Sequence, residues 1–200
     1  MIKYNGKDVN YEEKSSIMLI IIMAIIGAYL IYNHFSKNEN TNNNKNFNEE
    51  YSLVSKKNVY KYGNIDEVLD TFNKSGIIFM GFKENTWSNY YAKYLNEVAK
   101  DNDIKEIIYY DIKKDRQSNN IKYKKLINLL EKYLMMNDEG NLYISVPYLV
   151  IIKDGKIMYT DNETSIINGK TTPSLYWNQN NIDNFKDKIN NYIVEFKGGK

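Results

Sequence analysis

Few side chains in this 200-residue chain could do chemistry, and the most suggestive lie in "GFKENTWSNYYAKYLNEVAK", Gly81 to Lys100. Ser88 carries a hydroxyl, but a serine nucleophile needs a base beside it. The only histidine, His34, lies before a long asparagine-rich stretch. There is no cysteine. Disulfides, thiolate catalysis and thiolate metal sites are therefore excluded, and a lone histidine excludes paired-histidine metal sites. Asp101, Asp103 and Asp111 are too dispersed to read as a carboxylate pair or a hard-cation site. No catalytic residue, metal or cofactor is expected. Asn85, Thr86 and Ser88 instead suit the start of a helix, where their oxygens accept from amides that have no partner within the helix. Those amides, with the positive end of the helix dipole, would form a polar floor.

The elements that must position this stretch follow from apolar spacing. Ile65, Val68, Leu69 and Phe72 recur at helical intervals, ending near Ser75-Gly76. "IIFMGF", Ile77 to Phe82, is a continuous apolar run that fits a buried central strand. Trp87, Tyr91, Tyr94, Leu95 and Val98 fall on one helical stripe, and "IKEIIYYDI" predicts a further strand. A long helix is predicted over Ile121 to Met136, with Leu126, Leu129, Leu130, Tyr133 and Leu134 inward. "VPYLVIIKDGKIMYT" predicts two strands around an Asp154-Gly155 turn, and Ile182, Phe185, Ile189, Tyr192 and Ile193 mark a last amphipathic helix. A first strand is expected within Tyr51 to Tyr62. Strands alternating with helices, then a hairpin and a helix, describe an α/β fold: one mixed sheet covered by helices. The 19 tyrosines exceed what such a core needs, but Tyr90, Tyr91, Tyr94, Tyr109 and Tyr110 sit where aromatic core pairs belong.

Ahead of this domain, "SIMLIIIMAIIGAYLIY" runs from Ser16 to Tyr32 without a charge. As a helix it would reach about 25 Å, close to the hydrocarbon thickness of a bilayer. A single transmembrane helix over 16–32 is expected. It follows a short tail, 1–15, and precedes an asparagine-rich tether, 33–50, with a folded domain over 51–200. No small-residue cleavage site follows the apolar run, so the anchor is expected to stay attached. Lys3, Lys7 and Lys14 outnumber Lys37 and Lys45 around it, which places the N-terminus inside and the domain on the extracytoplasmic side of the cell membrane. A net charge of +2 gives no field that argues for nucleic acid. "DIKKDRQSNNIKYKK" reads as a solvated basic face.

Three segments resemble the thioredoxin-like superfamily, in particular its bacteriocin-transport-accessory-like branch. They are Gly81 with the Asn85-Thr86-Trp87-Ser88 helix start, "LNEVAKDNDIKEIIYYDI", and "SVPYLVIIKDGKIM"; the resemblance extends over about Asn58 to Phe196. The resemblance implies a thioredoxin-like sheet. It also implies a cis peptide at Val146-Pro147, facing the motif helix, and a groove between Trp87 and Val146-Pro147 that takes an extended peptide. In redox members the positions of Asn85 and Ser88 carry cysteines. Neither residue can form the mixed disulfide of thiol exchange, so the expected protein is not an enzyme: it is a membrane-anchored, redox-inactive module binding a peptide or protein partner. The alternative is an enzyme or accessory factor in peptide export or envelope protein maturation, acting with a partner's thiols.

Overall fold

In a computed structural model the chain is described over residues 17–29, 46–162 and 169–198. It divides into two units, 1–44 and 45–200. The tail 1–15, the ends of the apolar span at Ser16 and 30–32, and the tether up to residue 45 with His34 lie outside the described residues. In the first unit residues 17–29 form a helix, α1, with exposed aliphatic side chains. Among the described residues no helix is long and apolar enough to cross a membrane.

The second unit begins inside the stretch assigned to the tether. Phe47–Glu50 form a short helix, α2, and Phe47 is only 3% exposed, stacked on Tyr51 at 4.4 Å and on Tyr60 at 4.1 Å. A single aromatic side chain with a cavity to fill is enough to recruit this polar segment. The expected first strand shrinks to β1, Tyr60–Tyr62, because Tyr51 turns into the core instead of extending. Helix α3, Ile65–Thr71, starts on a capping box: Asn64 accepts from the Asp66 and Glu67 amides, and the Glu67 carboxylate accepts from the Asn64 amide. Strand β2, Gly76–Gly81, is buried along nearly its whole length, as its unbroken apolar run requires. Then come α4, Thr86–Asp101, and β3, Ile107–Asp111.

After α5, Lys113–Ser118, the helix predicted to reach Met136 stops early. Helix α6 covers Ile121–Leu130, a 3-10 turn follows at Glu131–Tyr133, and Met135–Met136 form β4, antiparallel to β5 at Leu142–Tyr143. Turn chemistry overrides helical periodicity here. The Asn137 side chain accepts from the Glu139 and Asn141 amides, and Gly140 takes φ +79°. Leu129 and Tyr133, predicted inward, are exposed. Strands β6, Tyr148–Lys153, and β7, Lys156–Asp161, meet at Asp154-Gly155, where φ is +50° and +73°. Positive φ at both turn residues matches the right-handed twist of the flanking strands. A single turn, α7, Pro173–Tyr176, and α8, Gln179–Phe196, close the chain.

The main sheet has the order β1-β3-β2-β6-β7. β1 and β2 run parallel to β3, whereas β6 is antiparallel to both β2 and β7. Alternation along the central strands supplies two cores, since successive side chains point to opposite faces. Ile77, Phe79 and Tyr109 pack under α4 and α8; Ile78, Met80 and Tyr110 pack under α3 and α6. Helices therefore cover both faces, and the loops leaving the carboxyl ends of β2 and β3 meet the chain entering β6.

Candidate functional site

Gly81 ends β2 against the first turn of α4. A Cβ there would stand 2.9 Å from Ser88 Oγ and 3.1 Å from the Tyr51 hydroxyl, so only glycine fits without displacement. Asn85 caps α4: its Oδ1 accepts from the Ser88 amide at 2.9 Å and from Ser88 Oγ at 3.3 Å. The two residues that the resemblance sets in the place of sulfurs are thus brought together and bonded to each other. Ser88 is 0% exposed, and its hydroxyl donates to the neutral Asn85 amide, with no base bonded to it among the described residues. Thr86, in the first turn, is exposed.

Across the sheet, the Val146-Pro147 peptide is cis. Met80 pairs with Tyr148, and the same antiparallel register carried one residue further sets Pro147 opposite Gly81. The bend before β6 and the start of α4 therefore flank one strand end. Val146 is only 6% exposed, yet neither its N–H nor its C=O has a hydrogen-bond partner among the described residues. Two residues earlier the Ile144 carbonyl accepts from an Arg116 guanidinium nitrogen at 3.4 Å.

Trp87 is packed at the start of α4 rather than standing free. It is 5% exposed, with its ring 5.5 Å from that of Tyr176. Pro173 at the first position of α7 sets that turn, which lays Tyr176 against the indole. Trp87 lines a cleft of about 690 Å³ formed by Glu84–Trp87 and by Gly169–Pro173 with Leu175. Neither Val146 nor Pro147 lines this cleft.

Charged groups ring the same end. Burial pushes the Asp111 carboxyl up, against the pull of the Lys113 amide and with Glu84 and Glu50 adding to the rise. The Glu84 carboxyl is held down chiefly by its own main-chain amide, with Lys113 helping at 3.3 Å. Glu50 accepts from the Tyr62 hydroxyl at 2.9 Å and lies 3.9 Å from Lys83. Among the described residues no group of three or more His, Cys, Asp or Glu side chains is placed to hold a metal ion.

Two clusters have no signal in the sequence. Asp161, nearly buried at the end of β7, accepts from Tyr91 at 2.7 Å and from Lys188 at 2.6 Å. Burial, more than the carboxylate beside it, drives the Tyr91 hydroxyl well above its ordinary range. The Tyr51 and Tyr109 hydroxyls meet at 3.0 Å beneath Gly81. Both clusters join residues far apart in the chain, which no local pattern announces. No protein-family model matches the chain, and no curated protein matches it in sequence.

Proposed function

We propose that this protein is a membrane-anchored, redox-inactive thioredoxin-like module that binds an extended peptide at the bend before β6. The observation that carries the reading is the pair of unpaired Val146 main-chain groups at a sheet end. An amide and a carbonyl left without partners among the described residues are free to take them from a second chain. An extended peptide laid along Ser145-Val146 would satisfy both, as main-chain pairing does in strand addition.

The thioredoxin-like assignment draws its support from the strand order, from the helix start beside Gly81 and from the proline opposite it. The missing cysteines remove thiol exchange from the reading. The anchor draws its support from the charge-free run of residues 16–32, whose described part is helical with exposed aliphatic side chains. The domain would then work at the extracytoplasmic face.

Photo-crosslinking tests the binding mode. A benzophenone amino acid placed at Ser145 in the full chain, expressed in its own membranes, should yield discrete adducts that map to peptide segments. The same group at exposed Lys105 serves as the control. Equal labelling from both positions, or none from Ser145, would remove the peptide-binding reading.

A further inference from the structure

The chain holds one arginine, and its position bears on what the bend before β6 would accept. Arg116 lies in the last turn of α5, partly buried, with its guanidinium carbon 5.1 Å from the centre of the Phe82 ring. Phe82 directly follows Gly81, the residue set opposite Pro147 by the register. On its other side the guanidinium donates to the Ile144 carbonyl, two residues before Val146. The group thus spans the two chain segments that frame the bend.

Arg116 makes no ion pair among the described residues. Its neighbour Asp115 is engaged elsewhere, accepting from the Tyr110 hydroxyl at 2.5 Å and from Asn120 at 2.6 Å. Lys113, also near Phe82, is paired with Glu84 at 3.3 Å. A guanidinium has five donors, and one is used here. A flat, partly desolvated cation fixed on an aromatic face, with most of its donors open, is built to receive a carboxylate in a two-pronged contact. Its purely structural use, holding the Ile144 carbonyl, takes a single donor and no charge.

We infer that Arg116 is the carboxylate receptor of the peptide site: the partner is an extended peptide carrying an Asp or Glu side chain, or a chain-terminal carboxylate, beside the residue that pairs with Val146. This rests on the proposed peptide-binding reading and adds the chemistry of the partner.

The test is a selection of random nonapeptides on phage against the full chain in detergent micelles, after depletion on empty micelles. Peptides seated at the bend are those whose binding is lost on a Ser145→Trp variant, which fills it. In that set an acidic residue should recur at one position. For synthetic versions, changing that residue from Asp to Asn should weaken binding to the wild type about ten-fold. It should leave binding to Arg116→Gln unchanged, because the interaction it removes is already absent. Arg116→Lys should restore part of the loss, since it keeps the charge but not the fork. A merely structural arginine would lower affinity for both peptides equally, and that outcome overturns the inference. Neutral peptides that lose binding on Ser145→Trp but not on Arg116→Gln overturn it too, while leaving peptide binding standing. If no selected peptide depends on Ser145, both readings fall.

Discussion

Asn85 and Ser88 hold the start of α4 together through one shared oxygen, which accepts from both the Ser88 amide and its hydroxyl. Capping was legible in the sequence because it depends on residues three apart and on nothing else. The stripe shared with Tyr91 and Tyr94 also signalled that Trp87 faces inward, but not what covers it, since that ring belongs to Tyr176, far along the chain. Asn85 and Ser88 stand three residues apart across the first turn of α4, with their side chains turned toward each other. Asn85→Cys with Ser88→Cys should therefore form an intramolecular disulfide under mild oxidant. The helix start should favour the thiolate of the first cysteine. Mass spectrometry with thiol titration reads the outcome; two free thiols, or dimers only, would mean that the pair does not have the geometry the proposed thioredoxin-like reading requires.

The elements that matched expectation are those whose signal is local: the run of β2, the stripe of α4 and the Asp154-Gly155 turn. The failure at α6 shows what competes with such signals. A leucine-rich helical stripe continues past Leu130, but an asparagine that bonds two amides ahead of it, with a glycine in the left-handed region, draws Met135–Met136 into a hairpin. The β6–β7 turn is tied into the fold as well as being well formed. Gly155 donates to the Lys74 carbonyl at 3.0 Å, and Asp154 exchanges hydrogen bonds with Ser75. A Cβ on Gly155 would stand 3.4 Å from the Phe72 carbonyl oxygen at φ +73°, whereas one on Gly140, at φ +79°, would meet nothing within 4 Å. Gly140→Ala should thus cost only the backbone strain, about 1 kcal/mol. Gly155→Ala should cost more, because crowding adds to the strain. Thermal melts of both variants check this; equal losses would show that the contact at Phe72 relaxes freely.

At the scale of the molecule, the boundary of the folded unit is set by one aromatic side chain rather than by composition. By hydropathy the asparagine-rich stretch is a tether up to residue 50, yet Phe47 is seated among Tyr51, Tyr60, Tyr62 and Tyr109. Chains beginning at Lys45 and at Tyr51 should both unfold cooperatively. The shorter should be weaker by about 3 kcal/mol, the low end for deleting a buried phenylalanine. Urea titrations would show this as a lower midpoint, and coincident midpoints would return α2 to the tether. The same aromatic economy has an optical consequence. The chain's two tryptophans, Trp87 and Trp177, are each 5% exposed, and Tyr176 lies 5.5 Å from one ring and 5.1 Å from the other. Their emission therefore reports on a single place, the docking of the Pro173–Trp177 segment onto α4. A shift of that emission to longer wavelength, while the backbone signal stays constant, would register the segment lifting away from the cleft without any label attached.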